Sequence, residues 1–414
     1  MSSETDEENV RTKGRRMPLA VFVLGLAVFC LNTTEVMVAG LLPSLSGGLD
    51  VPVTAAGNLV TVFALGMVFG GPVLTLALMK APRKPAMVMM MVLFLVGQTI
   101  GALATAYWVM VVARVVTALA TAAFFGLAAS VCANLVPPDR IGSALAIVFG
   151  GFMVANVFGL PLATFIDQLM GWRAAFWAVD ILVALCLLLV LIAVRRAPAP
   201  EGLDVRSELS VFRSGRLWGA FATNALLIGG VFATFAYLSP VLTGLAGFPE
   251  GAVPLLFVLY GVGTVIGNLV LGRLADAHTM RTLWLGGAVL TVLLGLYALV
   301  ATSQVLSLAA LFLLGCTGLP LNPAMAARVM SLSNSGALIN TMNTATICAG
   351  ITIGTWLAGA GIDAVGYRAP MGIGALLTLG ALATLGIARI TDRRTTDTGP
   401  CPAAPADRAT TACV

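Results

Sequence analysis

The sequence predicts an all-α membrane protein of twelve transmembrane helices in two six-helix halves. Three observations predict it. The chain is 59% hydrophobic and only 10% charged, with a mean hydropathy of +0.99, where soluble proteins carry about 25% charged residues. Its apolar runs are continuous and about 20 residues or longer, as a bilayer-spanning helix requires, where transmembrane strands would be short and alternating. Finally, the second half of the chain repeats features of the first at a common offset near 195–197 residues.

The runs fall in order. The first, 18–42, carries Asn32, Thr33 and Glu35 and ends before Pro43; the second, 54–79, carries Gly66 and Gly70. The third spans 86–106, the fourth spans 108–133 and contains Arg114, and the fifth spans 143–166 with Asn156, Gly159 and Pro161. The sixth, 174–194, holds Asp180 and closes the first half. The second half runs 216–240 with Asn224, 251–274 with Asn268, 282–301, 305–328 with Asn322, 336–361 with Asn340 and Asn343, and 369–389. Pro43 aligns with Pro240, Gly66 and Gly70 with Gly263 and Gly267, and Lys84 with Arg281. Ile166-Asp167 through Gly171-Trp172-Arg173-Ala174 matches Ile362-Asp363 through Gly366-Tyr367-Arg368-Ala369. The domains expected are therefore a disordered tail at 1–17, a first half at 18–194, a linker at 195–215, a second half at 216–389 and a second disordered tail at 390–414. An even helix count keeps the halves parallel about an axis along the membrane normal.

Lysine and arginine set the orientation. With the N-terminus in the cytoplasm, the seven cytoplasmic segments hold 20 of the 23 basic residues, Arg173 and Arg368 lie outside, and Arg114 lies within a helix. That bias places both termini in the cytoplasm. The net charge of +5 expresses this rule and does not imply a nucleic-acid partner. The first run is too long for a cleaved signal peptide and lacks its cleavage site. Five cysteines fall in apolar runs and two in the tail, with no CxxC pair, and the one histidine, His278, sits in a loop. No metal site or cofactor is expected. Without a Walker loop, a nucleophile elbow or a metal cluster the chain does not read as an enzyme. The lipid bilayer is the partner that the composition itself implies.

Glu35 is the residue that speaks of function. An ionisable group at membrane depth costs roughly 2.5–3.5 kcal/mol, so it comes with a partner or a task. It lies about seventeen residues into an outward-running helix, and Arg114 about six residues from the outer end of an inward-running one, so at ~1.5 Å per residue both reach a similar depth. An ion pair or water-bridged pair is expected, either purely structural or with Glu35 taking up a proton. Asp180 either faces a cavity or makes a capping contact or a contact with Arg173. The intramembrane asparagines and Thr33 either line a cavity or hydrogen-bond between helices. Phe22, Phe29, Phe232, Phe235 and Tyr237 are candidates for an apolar wall.

Several motifs carry a family resemblance that covers nearly the whole chain. Thr34-Glu35 followed by Gly40-Leu41-Leu42-Pro43 resembles the helix-1 signature of the twelve-helix drug:proton antiporter branch of the major facilitator superfamily. Arg114 in Val111-Val112-Ala113-Arg114-Val115-Val116 is similar to the helix-4 arginine motif of that branch. Ala155-Asn156-Val157-Phe158-Gly159-Leu160-Pro161, followed by Gly171-Trp172-Arg173-Ala174-Ala175-Phe176-Trp177, most resembles the chloramphenicol-resistance and sugar-efflux-like group. Two positions depart from the pattern. Met79 stands where the repeat has Asp276, and Ala155-Asn156 replace the usual Gly-Pro pair.

The resemblance implies export of a small amphipathic antibiotic or natural product across a bacterial cytoplasmic membrane, driven by proton influx through an ATP-independent monomer, so that its partners are that small-molecule substrate, protons and the lipid bilayer. A sugar or nucleoside carried by the same fold is the alternative. It also implies a cavity lined by helices 1, 4, 7 and 10, which favours Asn32, Asn224 and Asn322. Asp276, with Arg273, Arg281 and Lys84, would latch the cytoplasmic side, and the helix-5 segment at Asn156, Gly159 and Pro161 would bend during alternating access.

Overall fold

The computed structural model describes residues 17–78, 81–137, 140–194, 214–332 and 337–397. Most of the expected tails and the linker segment 195–213 lie outside the described residues. Twelve helices are long and apolar enough to cross a membrane. They are α1 (Leu19–Leu49), α2 (Val53–Leu78), α3 (Arg83–Ala102), α4 (Tyr107–Leu135), α5 (Ile141–Met170) and α6 (Trp172–Ala193), then α7 (Gly215–Phe235), α8 (Glu250–Ala275), α9 (Ala277–Val300), α10 (Gln304–Ser331), α11 (Ala337–Val365) and α12 (Ala369–Asp397). No strand occurs among the described residues. Helices alone satisfy every backbone donor within one segment, which is what a bilayer demands.

Several boundaries differ from the sequence expectation. Pro43 lies inside α1, which runs on to Leu49 and ends at Asp50 in the left-handed region. Neighbouring helices let a transmembrane proline stay in register. The α8–α9 connection is continuous helix broken only at His278 (φ −148°, ψ 67°), where a longer loop was expected. Gly318 interrupts α10, which restarts at Asn322 after a 3₁₀ turn at Leu319–Leu321. A five-residue π-turn, Ala155–Gly159, interrupts α5 at the helix-5 motif. Such π-turns often mark functional segments.

The internal repeat has a packing basis. A Cβ on Gly66 would meet Ala118 at 2.7 Å, and one on Gly70 would meet Leu119 at 2.7 Å, so α2 lies directly on α4. The repeated Gly263 and Gly267 do the same for α8 on α10, against Phe312 and Cys316. Lipid supplies no hydrophobic force between helices, so association relies on such close backbone approach. The turns after α5 and α11 repeat as well, with Gly171 at φ 84° and Gly366 at φ 85°, a region that costs other residues about 1 kcal/mol or more. Of the twelve helices, α1 and α7 are the most enclosed and α12 the least. The first helix of each half is therefore the most enclosed of its six.

Candidate functional site

The site is built on α1. Its Asn32, Thr33 and Thr34 are buried, and Glu35 is half-buried. Arg114 comes from α4 and is 1% exposed. Its Nη1 donates to the Thr34 carbonyl at 2.8 Å and its Nε to the Leu59 carbonyl of α2 at 3.4 Å. The guanidinium lies 4.2 Å from the centre of the Phe63 ring. Only Nη2 has no hydrogen-bond partner. Arginine suits this place because its rigid fork can serve two carbonyls on different helices at once.

Glu35 and Arg114 lie within electrostatic reach of each other, but they make no ion pair within 4.0 Å. Of the two arrangements expected from depth, an ion pair or a water-bridged pair, the direct one does not form, and the guanidinium makes a carbonyl clamp. The guanidinium ties α1 and α2 to α4, and the carboxylate beside it stays without a direct cationic partner.

A second polar side chain supports the same point. Gln98 of α3 is 1% exposed. Its Oε1 accepts from Thr34 Oγ1 at 3.5 Å, and its Nε2 donates to the Phe176 carbonyl of α6 at 3.2 Å. A glutamine inside an apolar run was the available signal, since a buried amide is costly unless both of its ends are bonded.

Asp180 joins a different seam. It is buried on α6, where Thr99 Oγ1 of α3 donates to its Oδ2 at 2.7 Å and Oδ1 has no partner. Arg173 is engaged elsewhere, donating to the Ala104 carbonyl at 2.8 Å and stacking on Trp172 at 4.2 Å. Asp180→Asn keeps the threonine contact. It should leave transport within about twofold of wild type and change stability by about 1 kcal/mol, as measured by substrate flux and thermal unfolding in detergent.

The asparagines separate. Asn224 is fully buried and donates to Asn343 of α11 at 2.9 Å, an interhelical bond. Asn322 is exposed where α10 restarts after its break. Asn32 is 3% exposed. Asn268 has a buried Oδ1 without a partner, and the Asn340 side chain lies outside the described residues. Among the aromatics, Phe22 is exposed and Phe29 half-buried. Phe232 packs on Phe235, and Phe235 on Tyr260 of α8.

The residues expected to gate also scatter. Lys84 Nζ donates to the Leu191 carbonyl near the end of α6 at 2.7 Å, a contact inside the first half. Arg273 and Arg281 are exposed. Asp276 is helical in its backbone, and its side chain lies outside the described residues. The π-turn of α5 touches both halves. Asn156 Nδ2 donates to the Phe152 carbonyl at 2.9 Å, and its Oδ1 is buried without a partner. Gly159 packs against Thr33 of α1, and Val157 against Gly261 of α8, where a Cβ would approach its Cα to 2.7 Å. Pro161, buried, starts the following α-helical segment.

The halves meet along α2 and α11, toward the face of the termini, where a Cβ on Gly71 would lie 3.7 Å from Thr341, and at the membrane face opposite the termini. Odd-numbered helices end there and even-numbered ones begin there. Thr61 of α2 and Thr355 of α11 share a hydrogen bond of 2.7 Å. Tyr237, fully buried just past α7, fills the space beside them. Its ring occupies the volume that a side chain on Gly57 of α2 or Gly359 of α11 would need, and its hydroxyl reaches the Thr355 carbonyl at 3.5 Å. Gln168 at the end of α5 donates to the Glu250 carbonyl at the start of α8. Both inter-half seams are therefore closed on this face.

This architecture matches known proteins. The pattern that defines the Major Facilitator Superfamily matches residues 24–344 and 246–409. An uncharacterised transporter of that type from Bacillus subtilis, YtbD, is 31% identical over 386 residues, covering 91% of this chain and 96% of its own. A chloramphenicol resistance protein of Streptomyces lividans is 35% identical over 322 residues, covering 76% and 81%. The inner membrane transport protein YdhP of Escherichia coli is 31% identical, covering 86% and 92%. Among solved structures, a bacterial homologue of the human lysosomal transporter Spinster, in an inward-facing and occupied conformation, superposes with a TM-score of 0.70 at 15% identity, covering 89% of this chain and 96% of that one. Twelve membrane helices, the glycine-packed repeat and these relatives together place the chain in the Major Facilitator Superfamily, as a multi-pass membrane transporter.

Proposed function

We infer that this chain is a secondary transporter that exports a small amphipathic compound, chloramphenicol or a related antibiotic or natural product, in exchange for protons. The observation that carries the reading is Glu35, an ionisable group at membrane depth that is half-buried and has no direct ion pair. Such a group can gain and lose a proton without first breaking a salt bridge. The Streptomyces lividans relative supports the substrate class.

The concentration of 20 of 23 basic residues on one face puts both termini in the cytoplasm. The membrane is the cytoplasmic membrane of a bacterium. The closed seams around Tyr237 then form the external gate, and substrate enters from the cytoplasm between the halves, with Asn322 at the cavity wall. Protonation of Glu35 from outside competes with bound substrate, and the empty protonated carrier resets. The chain works as a monomer, and Asp276, Arg273, Arg281 and Lys84 meet when the cytoplasmic side closes.

The test is susceptibility to chloramphenicol and a panel of unrelated antibiotics in an efflux-deficient bacterium. The wild-type chain should give selective resistance, and Glu35→Gln at equal protein level should remove it. Full pH-dependent efflux by Glu35→Gln would exclude Glu35 as the proton carrier. Absence of resistance to any compound would turn the reading to a sugar or nucleoside, measured by radiolabelled flux.

A further inference from the structure

Three hydrogen bonds in series connect the outer helices to the residue beside Glu35. Gln98 Nε2 of α3 bonds the Phe176 carbonyl of α6 at 3.2 Å, Thr34 Oγ1 of α1 bonds Gln98 Oε1 at 3.5 Å, and Arg114 Nη1 of α4 bonds the Thr34 carbonyl at 2.8 Å. We propose that Gln98 is a positioning residue for Glu35. It holds Thr34 so that Arg114 stays on the Thr34 carbonyl and does not close onto the Glu35 carboxylate. The inference rests on Glu35 being the proton-carrying group proposed above.

The argument starts from what α3 could otherwise carry. Packing alone at a position 1% exposed would be met by leucine, with no polar group to satisfy. Glutamine at this place uses both ends of its amide, one on α6 and one on α1, which fixes α1 in rotation as well as in distance. Thr34 and Glu35 are neighbours in the chain, so the setting of Thr34 decides where the Glu35 carboxylate points. The groups within electrostatic reach of Glu35 are Arg114 from α4 and the Cys348 thiol from α11. Arg114 is the cation of this set, and its Nη2 is the donor still without a partner. Freed from the Thr34 carbonyl, the fork would find the carboxylate, the anionic acceptor within its electrostatic reach, which it can grip through two parallel bonds. An ion-paired Glu35 would no longer trade protons.

The test reads Glu35 directly, on the full chain in lipid vesicles. A hydrophobic carbodiimide adds across a protonated carboxyl group and rearranges to a stable N-acylurea with no leaving group. Adduct at Glu35 is quantified by peptide mass spectrometry at one near-neutral pH. The wild type should be labelled there. Gln98→Leu and Thr34→Val should each cut the labelling rate about tenfold, the factor carried by one unit of differential interaction. Thr34→Ser, which keeps the hydroxyl, should label at the wild-type rate. Equal labelling of folded Gln98→Leu and wild type would overturn the proposal, as would a Thr34→Ser chain that loses as much as Thr34→Val. If Gln98→Leu does not accumulate, the two threonine variants decide the matter alone. A chain that labels as expected yet confers no drug resistance removes the substrate and leaves this inference standing. Resistance with labelling that Gln98→Leu does not change removes this inference alone.

Discussion

Arg114→Leu should leave the protein folded and reduce transport by at least about 100-fold. The guanidinium makes two bonds to carbonyls of other helices, and a bond from a charged donor contributes about 1.5–3 kcal/mol. The clamp sets the depth and rotation of α1 beside Glu35, and about 2.8 kcal/mol lost at the step that limits transport gives that factor, since each 1.4 kcal/mol is tenfold. Stability should change much less. Thr34 and Leu59 lie within regular helix, where their carbonyls also accept helical bonds, and an apolar residue of similar size replaces a buried ion at little or no net cost. Arg114→Lys keeps the charge but loses the fork, so it should recover only part of the activity. The measurements are substrate flux at matched protein level and thermal unfolding in detergent. Wild-type flux from Arg114→Leu would show that the clamp plays no part in transport.

Gly57→Leu should hold the face opposite the termini open. The Tyr237 ring already fills the volume that a side chain at Gly57 would enter, and overpacking a fitted seam costs about 1–3 kcal/mol. Applied to an equilibrium between closed and open seams, that shifts their ratio by about 5- to 150-fold. Tyr237→Ala should loosen the same seam by leaving a void and by removing the hydroxyl bond to the Thr355 carbonyl. The double variant restores space for the leucine, so it should close better than Gly57→Leu alone. Asn58→Cys, whose position faces Gly359 across the seam, provides the reporter. Its reaction with a membrane-impermeant maleimide added from that face should accelerate in Gly57→Leu and slow again in the double variant. Unchanged reactivity in both would mean that the aromatic wedge does not control closure.

These two expectations differ in how far the chain alone anticipates them. Arg114 and Glu35 stand out in the sequence because each is a charge in a run otherwise suited to lipid, and their equal depth follows from counting residues at a fixed rise. The clamp geometry could not be counted. Depth brings two helices' residues to one level but leaves open the rotation of each helix, and rotation sends the guanidinium to Thr34 and Leu59. The same freedom put Asp180 against Thr99 and Asn224 against Asn343. Gln98 carries no legible role in the sequence, because a single amide in an apolar run has a meaning only once its two partners are known.

Class, helix number and duplication were determined by the sequence itself. Each depends on quantities that add along the chain: apolar length against bilayer thickness and a constant repeat offset. The matching glycine pairs on α2 and α8 illustrate this, for their spacing is legible in one dimension and each pair packs on the equivalent helix of its own half. The tertiary structure alone decided which polar groups meet, where α5 and α10 break, and that Tyr237 plugs the seam between Gly57 and Gly359. Those outcomes depend on how helices far apart in the chain rotate and approach one another. A gap the size of an aromatic ring exists only after three helices from two halves have been assembled around it.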